Sequence, residues 1–283
     1  MCRFCFGSSD FGGSAGSTRR GFMFTGAALL SGAGAPALAQ VEVGKASSLR
    51  NLVPAETLEN AAARQYAQML SEAEAKRALA PQGHPKLERL RGIAQRLIPF
   101  AAAWNGRANN WRWEVNLIGS KQLNAFCMPG GKIAFFSGIL DQLQLSDDEA
   151  AMIMGHEMAH ALREHARARL AKTQATGIGL SIGAQLLGLG QLGDLGANLG
   201  TQLLALKFSR EDESEADLVG LELAARAGYA PRSSVTLWQK MMTAGGGSGP
   251  GFLSTHPSGP NRIRELEANV PKVQALYERA RKS

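Results

Sequence analysis

Apolar residues recur at helical spacing in two early segments of the 283-residue chain. Between residues 54 and 80 they fall near one face, which predicts an amphipathic helix. The residues on this face are Leu58, Ala62, Tyr66, Met69 and Leu70. A second helix is predicted over 85–104, because Pro85 suits the first position of a helix.

The pattern then changes to short stretches that are rich in aromatic and β-branched residues. Residues 111–119 (WRWEVNLIG) alternate partly between apolar and polar, so we predict a strand there. The sequences NAFCM (124–128) and KIAFF (132–136) flank the turn PGG (129–131), which predicts paired strands. A small β-sheet is therefore expected ahead of the next helix.

The segment 146–172 predicts a long helix whose first half is buried. Ser146 followed by Glu149 is the sequence of a capping box, and the acidic first turn suits the positive end of the helix dipole. Residues 150–162 are apolar on nearly every side, as in helices that are buried. Further helices are predicted over 209–228 and from about 260 onwards, so we expect an α+β fold that is mainly helical.

One domain is expected over residues 40–283, because 45% of the chain is hydrophobic and the length suits a single core. Residues 173–193 carry no charge, and their length alone would permit a membrane span. Glutamines and many glycines in this run argue instead for closely packed helices over 177–206. The alternative is a segment that is embedded in a membrane, as in an integral-membrane protease, or that touches the membrane surface.

Residues 1–39 are expected to be an export signal rather than part of the domain. The sequence STRRGFMF (17–24) leads into a short apolar run, and small residues before Gln40 suit cleavage between Ala39 and Gln40. Arg19-Arg20 resembles a twin-arginine signal, with an ordinary secretory signal as the alternative. Either signal predicts export, most simply to a bacterial periplasm.

The buried helix carries the motif GHEMAH at 155–160. Residues four apart share a helix face about 6 Å apart, so His156 and His160 can offer two nitrogens to one ion. Glu157 projects beside them, where it can take a proton from water held by the ion. This spacing also arises by chance, but a chance match would normally lack a third ligand.

The sequence SREDESEAD (209–217) is the candidate source of that third ligand. Glu213 and Asp217 are again four apart on a predicted helix. One carboxylate can bind zinc while the other accepts the N–H of a ligating histidine and so fixes its orientation. A solvated acidic helix start is the alternative, and we expect Glu215 to matter little in either case.

Four motifs in order resemble the zinc metallopeptidases of the HtpX, Oma and BepA type. They are GHEMAHALREH (155–165), SREDESEAD (209–217), NAFCMPGGKIAFFSGIL (124–140) and FLSTHPSGPNRI (252–263). The resemblance covers roughly 85–270 and is greatest to short periplasmic members such as LoiP, or BepA without its repeat domain. It implies a zincin-like fold with a small sheet beside the active-site helix.

The resemblance also implies the roles of the site residues. His156, His160 and Glu213 would hold one Zn²⁺ per chain, leaving a fourth position for water. Glu157 would be the general base, and Asp217 would support a ligating histidine.

One strand and one further histidine are also expected to take part in the site. The strand that includes Asn124, Ala125 and Phe126 is expected to bind extended substrate by β-addition. His256, after the glycine-rich run 244–251, is expected to act as a regulatory fourth ligand. The alternative is a loop histidine that packs against the next helix, with Arg262 as a surface charge.

The expected function is an exported zinc-dependent metalloendopeptidase that acts on polypeptides, with misfolded or misassembled envelope proteins implied as substrates. The net charge of +7 is scattered, and its densest run (163–169) suits a solvated helix face rather than a nucleic-acid site. The alternative function is a periplasmic chaperone or assembly factor for outer-membrane proteins that binds through the same cleft. His165 lies off the ligand face and is expected at the surface or behind a ligand. The sequence leaves the oligomeric state open.

Overall fold

A computed structural model describes residues 41–175, 206–244, 252–256 and 260–282. The predicted export segment 1–39 lies outside these residues, as do the predicted helices over 177–206 apart from Leu206. Within the part of the chain that the structure describes, no helix is both long and apolar enough to cross a membrane.

The first two predicted helices are confirmed, with shorter bounds. Helix α1 (Ala55–Ala75) buries Leu58, Ala62 and Tyr66 from its predicted apolar face. Helix α2 (Pro85–Leu97) begins with its proline after the N-cap His84, and its last turn passes into a 3-10 helix (Ile98–Ala103). Two more 3-10 helices are Ser48–Leu52 and Gly106–Asn110.

A three-stranded sheet follows, made of β1 (Glu114–Ile118), β2 (Ala125–Met128) and β3 (Lys132–Phe136). The strand order is β1-β3-β2, with β1 parallel and β2 antiparallel to the central β3. Gly130 and Gly131 form the predicted turn with φ of 83° and 78°, which glycine adopts without steric cost. Strand β2 therefore forms one edge of the sheet.

Helix α3 (Ser137–Gln142) connects the sheet to the buried helix α4 (Asp147–Leu162). The predicted capping box is present, since Ser146 Oγ accepts from the Glu149 N–H and the Glu149 carboxylate accepts from the Ser146 N–H. Every residue of α4 from Glu149 onwards is buried. The apolar pattern of α4 thus reflects a helix that is covered on all sides.

The prediction of one continuous helix over 146–172 is wrong. The chain breaks after Leu162, where Glu164 takes a left-handed conformation with φ of 57°, and α5 (His165–Ala175) starts in a new direction. A left-handed residue cannot continue a right-handed helix. The break turns the side chain of His165 back towards α4.

The C-terminal half supplies α6 (Arg210–Arg226), α7 (Ser233–Ala244), the short α8 (Phe252–Thr255) and α9 (Pro260–Ala280). Helix α6 ends as predicted before Gly228, whose φ is 76°. The predicted α+β, mainly helical fold is confirmed.

Helices α4 and α6 cross with their backbones in contact at two glycines. A Cβ atom on Gly220 would lie 2.6 Å from the His156 backbone nitrogen, and one on Gly155 would lie 2.8 Å from the Gly220 carbonyl oxygen. Real Cβ atoms do not approach backbone atoms so closely, so a side chain at either position would push the helices apart. Residue Gly220 is therefore a packing requirement of the fold.

We predict that Gly220→Ala lowers the free energy of unfolding by about 1–3 kcal/mol, because overpacking shifts the two buried helices. Denaturant unfolding measures the change. Gly92→Ala is the matched control, since Gly92 lies within α2 and a Cβ there meets no atom of the described residues within 4 Å. This control should be neutral or stabilising by about 0.5–1 kcal/mol. Equal stability of Gly220→Ala and wild type would contradict the crossing argument.

Candidate metal centre

Helix α4 presents the two histidines of the HExxH motif on one face. The Nε2 atoms of His156 and His160 lie 3.1 Å apart, and both side chains are buried. The side chain of Glu157 between them is also buried. The helical spacing therefore brings both ring nitrogens to one point in the interior, as the sequence predicted.

Helix α6 brings the two predicted carboxylates to the same point. Its first turn is held by a capping box between Ser209 and Asp212, which sets where the helix begins. One oxygen of Glu213 lies 3.5 Å from His156 Nε2, and the other lies 3.5 Å from His160 Nε2. The alternative of a solvated acidic helix start is wrong for Glu213, which is buried.

His256 joins the cluster from the residue directly after α8. Its Nδ1 atom lies 3.3 Å from His156 Nε2 and 3.0 Å from Glu213 Oε1. Its ring stacks on Phe252 with centroids 4.3 Å apart, and its Nε2 atom is 3.5 Å from Glu157 Oε1. The glycine-rich run ahead of α8 lies outside the described residues from 245 to 251.

The spacing of these atoms fits a tetrahedral metal ion. Zinc–nitrogen bonds of about 2.0–2.1 Å place the ligand atoms of a tetrahedron about 3.3–3.4 Å from one another. Five of the contacts among the four side chains lie between 3.0 and 3.5 Å. The four residues, which are His156, His160, Glu213 and His256, could thus hold a metal ion. Three imidazoles and one carboxylate are also the ligand types that suit zinc.

A second observation supports the fit. Glu157 is buried, yet its Oε1 atom has no hydrogen-bond partner among the described residues. Buried carboxylate oxygens are normally paired. An oxygen left open beside a group of potential metal ligands can accept a proton from a substrate or water.

Asp217 contacts His156 on the side of the ring that faces away from the cluster. Its Oδ1 atom lies 3.0 Å from His156 Nδ1, so the ring nitrogen that faces away from the cluster has a carboxylate partner. Arg262 in α9 grips the same carboxylate with two hydrogen bonds of 2.7 and 2.8 Å. This arrangement orients the histidine towards the cluster.

The alternative that treated Arg262 as a surface charge is wrong. Its side chain is buried, its guanidinium lies 3.7 Å from the centre of the Trp238 ring, and it forms an ion pair of 2.7 Å with Glu213. Sequence reasoning missed this role because a basic residue near the start of a helix has no distinguishing pattern. Only the packing of α9 against α6 brings it to the carboxylates.

The pKa values of the two motif histidines are shifted in opposite directions. Burial lowers the pKa of His156, but the carboxylates of Asp217 and Glu213 outweigh burial and raise this pKa to about 9. Burial and the charge of His156 hold the pKa of His160 well below its usual value.

The surroundings also shift the pKa values of the three carboxyl groups in different directions. Burial raises the pKa of Glu157, which makes its carboxylate a stronger base. Burial opposes ionisation of Glu213 and Asp217 as well, but their partners outweigh it. Hydrogen bonds to His156 and His256 lower the pKa of Glu213, and the charge of Arg262 lowers that of Asp217.

The cluster lies at the wall of a partly open cleft. Glu157, His160 and His256 line it together with residues of the edge strand β2, and the predicted Asn124, Ala125 and Phe126 all border the cleft. Much of the remaining wall is apolar, with Leu58, Met128, Leu206 and Phe208 among its residues.

His165 and Glu215 are two residues whose part in the site the sequence did not define. His165 is buried, and its Nδ1 atom lies 2.9 Å from His160 Nδ1. Glu215, which was expected to matter little, lies 3.4 Å from His165 Nε2. The helix break after α4 produces this contact, and the sequence pattern did not predict that break.

Comparison with known proteins identifies the family. The family model described as Peptidase family M48 matches residues 84–270. Mitochondrial metalloendopeptidase OMA1 of Schizosaccharomyces pombe is 35% identical over 201 residues, which cover 70% of this chain and 57% of that protein. OMA1 of Arabidopsis thaliana is 40% identical over 159 residues, covering 56% of this chain and 32% of the relative.

A bacterial relative is also similar. Metalloprotease LoiP of Escherichia coli is 28% identical over 184 residues, covering 61% of this chain and 69% of that protein. By contrast, the chain spans less than two thirds of the length of the two mitochondrial relatives. The family match itself extends over more than half of the chain and includes all four clustered residues, so the chain belongs to peptidase family M48.

Proposed function

We propose that the protein is a zinc-dependent metalloendopeptidase with one Zn²⁺ per chain. The observation that carries this proposal is the buried group of three histidines and Glu213, with Glu157 beside it, at the wall of a cleft. Membership of a peptidase family supports the same activity.

In this proposal His156, His160 and Glu213 hold the ion, and Asp217 orients His156 through its Nδ1 atom. When bound, zinc would supply Lewis acidity that lowers the pKa of water and polarises the scissile carbonyl group.

Glu157 acts as the general base. Its carboxylate takes a proton from the attacking water and returns it to the nitrogen of the leaving amine. Burial raises its pKa, and its Oε1 atom has no hydrogen-bond partner among the described residues, so the group is ready to accept a proton at this position.

Strand β2 binds the substrate in extended conformation. It is paired on one side with β3 and borders the cleft next to Glu157, so its backbone can add a substrate strand. The residues proposed for this contact are Asn124, Ala125 and Phe126. The apolar cleft wall suits the exposed apolar segments of misfolded polypeptides, and envelope proteins are the proposed source of them.

His256 regulates access to the ion in this proposal. Its Nδ1 atom completes the cluster, and its Nε2 atom lies 3.5 Å from Glu157 Oε1. The imidazole therefore stands where water would have to lie between the ligands and the base. Substrate binding must move His256 away before hydrolysis.

We predict that Glu157→Gln retains zinc and the fold but lowers casein cleavage by about 10²–10⁴-fold, because the carboxylate that accepts the proton is lost. Metal analysis and a proteolysis assay measure both properties. Wild-type turnover by this variant would rule out the assigned base. Chelator-sensitive cleavage by the wild type separates an enzyme from the chaperone alternative, which predicts binding of unfolded protein without cleavage.

For His256→Ala we expect basal proteolysis and self-cleavage to rise several-fold with zinc content unchanged, since three protein ligands suffice for a catalytic zinc ion. The control is His84→Ala, which removes a histidine that caps α2 and is not part of the cluster. Activity that falls, or zinc that is lost, would assign His256 a purely structural or ligand role.

Export to the periplasm is the proposed localisation, with removal of residues 1–39. Replacing Arg19-Arg20 by Lys-Lys should block export if the twin-arginine pathway is used, because that pathway reads the arginine pair. Cell fractionation of the two forms measures this. Normal export of the Lys-Lys form would indicate an ordinary secretory signal, and cytoplasmic wild-type protein would contradict the localisation.

A further inference from the structure

The two motif histidines differ in what supports the ring nitrogen that faces away from the cluster. For His156 this nitrogen meets the carboxylate of Asp217 at 3.0 Å. For His160 it meets a second imidazole, since His160 Nδ1 and His165 Nδ1 lie 2.9 Å apart. Both His160 and His165 are buried, so neither nitrogen can use bulk water as a partner.

His165 in turn contacts Glu215 of α6, and Glu215 is bound by Arg163. His165 Nε2 lies 3.4 Å from Glu215 Oε2, and this oxygen also accepts a 2.8 Å hydrogen bond from Arg163 Nε. Arg163 is buried and donates a further hydrogen bond to the carbonyl oxygen of Gly44. Glu215 is therefore fixed in place on both sides.

The arrangement determines which ring nitrogens carry protons. When His160 Nε2 serves as a ligand, the neutral ring must carry its proton on Nδ1 and donate it to His165 Nδ1. His165 Nδ1 must then be an acceptor, which places the His165 proton on Nε2, facing Glu215. Each donor in this series of hydrogen bonds thus meets one acceptor. The series ends at the Glu215 carboxylate, which Arg163 binds.

His156 is supported in a similar way, but without an intervening residue between its ring and the carboxylate. Asp217 and Glu215 lie two positions apart on α6, and each is bound by an arginine, Arg262 for Asp217 and Arg163 for Glu215. Asp217 reaches His156 directly, whereas Glu215 reaches His160 only through an intervening imidazole. The break between α4 and α5 is what inserts His165 into this gap.

We propose that His165 and Glu215 form a positioning relay that fixes the tautomer and orientation of His160 as a metal ligand. His165 is then a positioning residue, which acts through His160 and does not touch the ion. This inference rests on the proposed function, because it requires that His160 binds zinc.

The competing explanation is that the same residues only stabilise the fold through the ion pair of Arg163 with Glu215. The two explanations differ in what depends on zinc. A structural role lowers the melting temperature with and without zinc alike, whereas a positioning role lowers the zinc affinity and hence the stabilisation that added zinc produces.

The experiment measures zinc affinity by chelator competition, and melting temperature with and without zinc. The variants are His165→Ala, His165→Asn and Glu215→Gln, with Glu211→Gln as a matched control on the exposed first turn of α6. Glu213→Ala, which removes a proposed ligand, sets the scale for full loss.

We expect His165→Ala to weaken zinc binding by about 10–100-fold, the range seen when groups behind metal ligands are removed. His165→Asn should recover part of the affinity, because its side-chain oxygen takes the place of the ring Nδ1 atom and can accept from His160 Nδ1. Glu215→Gln should weaken binding by about tenfold, and Glu211→Gln should bind as wild type does.

The outcomes separate the two proposals. Wild-type protein that binds no zinc overturns the proposed function and the relay together. Tight binding by wild type, with unchanged affinity in both His165→Ala and Glu215→Gln, overturns the relay alone. Equal loss in the alanine and asparagine variants, matched by equal falls in melting temperature without zinc, would show the purely structural role. If His165→Ala does not fold, His165→Asn and Glu215→Gln decide between these results.

Discussion

The close crossing of α4 and α6 is the constraint on which the rest of the structure depends. Packed helices usually lie about 8–10 Å apart, with side chains filling the space between them. Here Gly155 and Gly220 leave no side chain at the crossing, so the two backbones meet. Glu213 therefore comes within 3.5 Å of both motif histidines, and Asp217 comes within 3.0 Å of His156. A wider crossing would separate the carboxylates of one helix from the imidazoles of the other.

The crossing buries several charges, and the surrounding elements compensate them. An ion moved out of water costs several kcal/mol unless it is paired and hydrogen-bonded. Arg262 contacts both Glu213 and Asp217 from α9, while Arg163 contacts Glu215 from the end of α4. The arginines therefore do more than neutralise charge, since each fixes a carboxylate that faces a histidine. The geometry of the cluster is thus set by groups that lie outside it.

Local features were predictable because they depend on neighbours along the chain. The capping box at Ser146, the glycine turn between β2 and β3, and the end of α6 before Gly228 follow from the chemistry of a few adjacent residues. The buried helix and its two histidines follow from a pattern that repeats within 16 residues. The pairing of that helix with Glu213 and Asp217 was predicted from spacing and resemblance, and the fold brings these side chains together.

The sequence by itself determined most of the described elements, the family resemblance and the residue types that could meet a metal ion. Tertiary structure alone decided that the helix breaks at Glu164, that Arg262 is buried, and that His165 faces His160. These three features depend on residues distant in sequence, such as Asp217 for Arg262 and Glu215 for His165. The physical reason is that a buried charge or imidazole acquires its role from its partners, and periodicity along one segment carries no information about partners on another.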